Sequence, residues 1–204
     1  MGPGFRTRSC AVKKPPDTVR DATAEFDFLV LPGLGNSGVE HWQSYWCMAF
    51  RNATRVLQDN WDNPTLASWL NRLDAALVGG TRPAILVCHS LSCSLAAHWA
   101  ARNRPGRVKA ALLVAPSDLA RPDAPPATRD FLPVPQKKFP VPALVVASTD
   151  DTFVSPARAR EFAGAWGADY CELPELGHIN TVSRLGYWPQ GLLLLGRLVE
   201  KIEA

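Results

Sequence analysis

The stretch Ile85-Leu86-Val87-Cys88-His89-Ser90-Leu91-Ser92-Cys93-Ser94-Leu95-Ala96-Ala97 decides how this chain is read. The apolar run at 84–87 predicts a buried strand, and residues 91–103 carry the spacing of a helix. Ser90 falls on the sharp turn between them. A serine placed there projects its hydroxyl from the carboxyl edge of a sheet, where ligands bind, and sits at a helix N-terminus. The same turn offers the backbone N–H of Leu91 to a developing oxyanion, aided by the helix dipole. In the usual G-x-S-x-G form of this turn, glycines let strand and helix nearly touch beside a strained nucleophile. Here Cys88 and Ser92 occupy both glycine positions. Both are small enough to fit, but the atoms that Ser92 adds are expected to shift the backbone and loosen the Leu91 donor. The plain alternative for this motif alone is an ordinary strand-to-helix turn with a capping serine.

Outward from this turn, strand-like and helix-like segments alternate from Phe26 onward. Phe26–Leu31 reads as a strand followed by the glycine-rich loop Pro32-Gly33-Leu34-Gly35-Asn36-Ser37-Gly38. Residues 39–51 have helical spacing, with Trp42, Trp46 and Phe50 on one face, and a short strand is expected near 54–58. A helix over 66–78 starts beside Pro64 and shows Leu66, Trp69, Leu70, Leu73 and Leu77 as its apolar stripe. Strands at 108–114 and 141–147, a helix at 155–166, a strand near 169–173 and a helix from Pro189 to about Ile202 complete the pass. This alternation predicts an α/β fold, a three-layer, doubly wound, mainly parallel sheet with helices on both faces. The proline-rich stretch 115–142 reads as a rigid excursion over the carboxyl edge of the sheet.

A serine nucleophile needs a base, and the four histidines sort by position. His89 precedes Ser90 on the strand, so its side chain is expected to point the other way. His98 lies about two turns into the helix, roughly 12 Å along its axis. His41, in the first helix, reads equally well as a buried hydrogen-bonded residue or as a substrate contact. His178 follows the last strand in Gly177-His178-Ile179-Asn180 and returns to the carboxyl edge. The orienting acid is expected at the end of strand 141–147, where Asp150 and Asp151 stand together, with Asp118 a weaker candidate. Paired aspartates there also suit an Asx-turn or a helix start. The order serine, aspartate, histidine is that of the α/β-hydrolase fold. Three weak signals at three successive strand ends point to a serine hydrolase.

Composition narrows the classes. A chain of 204 residues with 47% hydrophobic content suits one soluble domain, expected over 25–204. Net charge is only +3 and no basic stripe interleaves with aromatics, so no nucleic acid partner is expected. No apolar run approaches the roughly 20 residues that span a bilayer, so no membrane partner is expected either. Five scattered cysteines without a C-x-x-C pair suit a reducing compartment and carry no metal-ligand spacing, although Cys88 and Cys93 could oxidise. The expected location is cytoplasmic. Residues 1–24 are basic and proline-containing without apolar periodicity, and read as a disordered leader.

Four segments carry a family resemblance: LPGLGNSGVEHWQSYW (31–46), NWDNPTLASWLNRLDAAL (60–77), VCHSLSCSLAAHW (87–99) and ASTDDTFVSPARAREFAGAWGADYCELPELGHINTVSRLGYWPQG (147–191). The chain resembles the small α/β-hydrolases of the retinoblastoma-binding protein 9-like serine hydrolase family, bacterial type. The resemblance implies a compact α/β-hydrolase fold with a minimal cap and no cofactor, and the sequence offers no metal site. Residue by residue it implies Ser90 as nucleophile, Asp151 as acid and His178 as base. The family pattern places proline after the acid, which favours Asp151 over Asp150, with Thr152 standing in that place here. The glycine loop then resembles the first oxyanion loop, so that the Leu34 N–H joins that of Leu91. The implied partner is a small-molecule acyl substrate, an ester, thioester or amide, and nothing in the sequence indicates a protein partner. Trp42, Trp61 and Trp188 are expected to pack the core rather than wall the pocket. Two other readings stand beside this one. One is a catalytically impaired hydrolase fold used as a binding module. The other is a nucleotide binder built on Gly33, Gly35 and Gly38, with Asp59 as its acidic residue.

Overall fold

Six strands carry the apolar runs, and the computed structural model, which describes residues 24–202, joins them into one parallel sheet. The strands are β1 (Asp27–Leu31), β2 (Ala53–Arg55), β3 (Ala84–His89), β4 (Val108–Val114), β5 (Ala143–Ser148) and β6 (Asp169–Leu173). Their order across the sheet is β2-β1-β3-β4-β5-β6. The helices between them are α1 (Trp42–Ala49), α2 (Leu66–Val78), α3 (Leu91–Ala101), α4 (Pro156–Trp166) and α5 (Pro189–Glu200). Strands β3 and β5 are buried along their whole length, which is why they read as continuous apolar runs rather than alternating ones.

The pleat divides these residues between two cores. Leu86 and Cys88 of β3 face a cluster closed by Trp69 and Leu73 of α2, Leu95 of α3 and Phe162 of α4. Ile85 and Val87 face the opposite cluster, closed by Trp42 and Trp46 of α1 and by Leu194 and Leu198 of α5. The three-layer, doubly wound architecture is therefore as expected. The three questioned tryptophans fall in these layers: Trp42 and Trp188 are buried in the second cluster, and Trp61 packs on the first.

The ends of elements differ from the sequence reading. Helix α1 begins at Trp42 rather than 39, because His41 is its N-cap and its side chain accepts from the Gln43 N–H. Thr65 rather than Pro64 caps α2. Strand β2 is a three-residue edge strand that stops at Arg55, with one further bond from Val56 N–H to the Val30 carbonyl (2.9 Å). Helix α3 ends at Ala101, two residues early. The proline-rich excursion contains a 3-10 turn (Pro126–Phe131), and Leu119, Phe131 and Phe139 anchor it in the first cluster. The expected leader lies outside the described residues except for Ala24.

The topology sets the location of a site. The chain runs from β1 outward to β2, then returns to β3 on the other side of β1. Loops leaving β1 and β3 diverge, and a crevice opens between their carboxyl ends.

Candidate active site

Ser90 stands at that crevice. Its backbone has φ 58° and ψ −122°, a conformation strained for any residue with a side chain. The strain is held by the Ser90 N–H bond to the Val114 carbonyl on β4 (2.9 Å) and by the immediate start of α3. The β1 loop presses against it. A Cβ added at Gly33 would lie 2.8 Å from Ser90 Cβ and 3.0 Å from the His89 carbonyl oxygen, so only glycine permits this approach. Leu34 and Leu91 both line the cavity beside Ser90, and neither backbone N–H has a hydrogen-bond acceptor among the described residues.

Three sequence-predicted side chains meet here. His178 Nε2 is 2.9 Å from Ser90 Oγ, and His178 Nδ1 is 2.8 Å from Asp151 Oδ2 and 3.0 Å from Asp151 Oδ1. The carboxylate can only accept, so Nδ1 carries a hydrogen and Nε2 is free to take the Ser90 hydroxyl proton. Asp151 Oδ1 also accepts from the Phe153 N–H (2.8 Å), so the Asx-turn and the orienting contact coexist on one carboxylate. Asp150 turns elsewhere. It accepts from the Ser148 hydroxyl (2.6 Å) and the Gly177 N–H (2.7 Å), and these bonds hold its carboxyl below the usual range. Asp118 lies in the same crevice but pairs with Arg158 (3.4 Å) rather than with His178.

The crevice is a cavity of about 310 Å³, small for a ligand pocket. Leu34, Leu91 and Leu119 line it from the side of the first core cluster, and the excursion after β4 closes it with Arg121 and Pro125. His41, His89, Asn36 and Asn180 supply polar lining. None of Trp42, Trp61 and Trp188 lines it. Among the described residues no group of His, Cys, Asp and Glu could hold a metal ion. Asp59, the acid of the nucleotide-binding reading, is engaged at the surface by Ser68 (2.6 Å) and Arg72.

The elbow gives the Ser92 side chain hydrogen-bond partners of its own. The Ser92 hydroxyl is fully buried and bonded into the turn: it accepts from the His89 N–H (2.9 Å) and reaches the carbonyls of Leu31 (2.6 Å) and His89 (2.9 Å). It also contacts Cys88, so the two residues that replace glycines meet each other. Burial pushes both the Cys88 and the Cys93 thiols up, which opposes the oxidation considered for them.

A family model described as serine hydrolase matches residues 28–197. The chain belongs to the serine hydrolase family. Among solved structures, a YdeN-like hydrolase from Pectobacterium atrosepticum is similar at 29% identity and a TM-score of 0.80, over 90% of this chain and 96% of that one. The ydeN gene product from B. subtilis shares the fold at 19% identity and a TM-score of 0.69, over 86% and 99%. Est1E from Butyrivibrio proteoclasticus shares it at 13% and 0.59, over 88% and 87%. No curated protein matches the chain.

Two features of this hydrolase escaped the sequence reading. His89 does not serve Ser90, as expected, but its Nε2–H donates to the carbonyl of His178 (2.9 Å) and so holds the loop that presents the imidazole. Burial, reinforced by His41 and His178, lowers the His89 pKa well below its ordinary value. Its ring also packs edge-on against His41, 4.7 Å between centroids. His41 is both buried and part of the cavity lining, and burial, then Arg55 and His178, lower its pKa to about 3. The second missed feature is Ser117, whose Oγ lies 2.8 Å from Ser90 Oγ. A serine after an apolar strand has no sequence signature that separates it from any loop serine.

Among the described residues no helix is long and apolar enough to cross a membrane.

Proposed function

We propose that this serine hydrolase cleaves small carboxylic esters through an acyl-enzyme on Ser90, with His178 as base and Asp151 as its orienting acid. The continuous line of hydrogen bonds from Asp151 through His178 to Ser90 Oγ carries the reading. His178 Nε2 takes the Ser90 proton as Oγ attacks the acyl carbonyl, and then returns it to the departing alcohol. The Leu34 and Leu91 amides receive the oxyanion of the tetrahedral adduct. A water then gives its proton to His178, adds to the acyl carbon and displaces Ser90. Thioesters and amides fit the same machinery. The cavity of about 310 Å³ suits short acyl groups. Against the binding-module reading, the Ser92 hydroxyl is hydrogen-bonded within the elbow, to the His89 N–H and the Leu31 carbonyl, which supports an elbow that accommodates this side chain.

A fluorophosphonate probe tests the proposal, because only an activated serine reacts rapidly. The label is expected on Ser90. Ser90→Ala should abolish both labelling and small-ester hydrolysis at an unchanged melting temperature, and His178→Ala should remove labelling almost as fully. A label mapped to Ser92, Ser94 or Ser117 overturns the assignment.

A further inference from the structure

Besides the His178 imidazole, Ser90 Oγ has a hydroxyl neighbour. Ser117 is 8% exposed, lines the cavity and places its Oγ 2.8 Å from the nucleophile. The chain leaves β4 through a left-handed Ala115 (φ 49°), directly after Val114, whose carbonyl accepts from the Ser90 N–H. Strand pairing therefore sets Ser117 against Ser90. The direction of the bond follows from the hydrogens available. Ser90 has one, directed to His178 Nε2, so the hydrogen between the two serines comes from Ser117.

We propose that Ser117 is a further catalytic residue, whose hydroxyl stabilises charge on Ser90 Oγ as that atom is expelled from the acyl-enzyme. The inference rests on Ser90 as the acyl carrier. In deacylation a water adds to the acyl carbonyl and gives one proton to His178 Nε2. The tetrahedral adduct then collapses. The bond between carbon and Oγ breaks, its electron pair stays on Oγ, and the Nε2 proton moves to Oγ as the carboxylic acid leaves. Negative charge grows on Oγ before that proton arrives, and a donor is already aimed at it. In the acyl-enzyme Oγ is an ester oxygen and a poor acceptor. The bond from Ser117 therefore strengthens from ground state to transition state, which is what accelerates a step. Acylation gains less, because the same bond already exists in the free enzyme.

Stopped-flow hydrolysis of p-nitrophenyl acetate by the wild type, Ser117→Ala and Ser117→Thr separates the two steps. In Ser117→Ala the burst of nitrophenolate should persist within about twofold of its rate, while kcat falls about tenfold and KM falls with it as acyl-enzyme accumulates. Quenched samples should show an acetyl group on Ser90, and Ser117→Thr should restore kcat. An unchanged kcat in Ser117→Ala overturns the proposal. So does a loss of burst and kcat together at constant KM, or a failure of Ser117→Thr to rescue at an unaltered melting temperature. A wild type that never carries an acetyl group on Ser90 overturns the acyl-enzyme reading instead.

Discussion

Two neighbouring aspartates show how finely the site is set at the residue scale. Successive side chains at a strand end leave on different sides. Asp151 reaches His178, while Asp150 braces the loop before it through Gly177. Asp151→Asn replaces an acceptor with an amide and stabilises the wrong imidazole tautomer, so kcat should fall by about three to four orders of magnitude. Asp150→Asn keeps an acceptor oxygen for the Gly177 N–H and should cost far less. Steady-state ester hydrolysis by the two variants checks the ranking, and the reverse order would move the acid to Asp150. The residues alone left this pair open, because both follow the same strand and both suit a turn. Ser90 was legible for the opposite reason: an apolar strand, a serine and a helix in direct succession leave one sharp turn for it to occupy. Ser117 and the His89 bond to the His178 carbonyl were not legible, since each depends on a partner far along the chain.

Between elements, a single backbone carbonyl ties the glycine loop after β1 to the elbow. Leu31 ends β1, and its oxygen accepts from Ser92 on α3 (2.6 Å) and from Gln43 on α1 (3.1 Å). Gln43 also donates to the Val87 carbonyl (3.0 Å) and accepts from Ser37 (2.7 Å), so α1 fastens β1, β3 and the glycine loop together. Leu34 and Leu91, the proposed oxyanion donors, lie on the two chain segments joined here. Ser92→Gly removes the α3 half of this junction. Its kcat should fall about three- to tenfold with KM nearly constant, the scale of one or two buried hydrogen bonds. A faster variant would show that the Ser92 side chain strains the elbow after all. The sequence could show that Ser92 departs from glycine, but not that its hydroxyl finds the Leu31 carbonyl, because a backbone acceptor 61 positions away leaves no residue signature. Buried elements such as β3 and α2 were legible from apolar pattern, whereas the short edge strand β2 and the ends of α1 were set by caps and pairing.

Taken as a whole, the molecule buries two of its four histidines beside the crevice, and this couples folding to pH. His41 caps α1 and faces Arg55 from β2, His89 from the elbow and His178 from the loop after β6. Its pKa falls from 6.5 to about 3 on folding, and that of His89 is lowered in the same direction. Both groups are neutral in the fold and protonate readily once unfolded. The unfolded chain therefore binds more protons between these values. The stability tied to their neutral forms is fully present above pH 6.5 and is lost as pH falls toward the folded pKa. Each such histidine removes about 1.4 kcal/mol of stability per pH unit below its unfolded pKa. The lowered carboxylates, Asp150 among them, act in the same direction but only nearer their ordinary value of 3.8. Urea unfolding between pH 7.5 and about pH 5 thus isolates the histidines. His41→Asn retains a side-chain acceptor for the Gln43 N–H and removes one titrating group, so its stability should decline less steeply, by about one proton per molecule. An identical slope in wild type and variant would mean that His41 is protonated in the fold, with its buried charge accommodated among Arg55, His89 and His178.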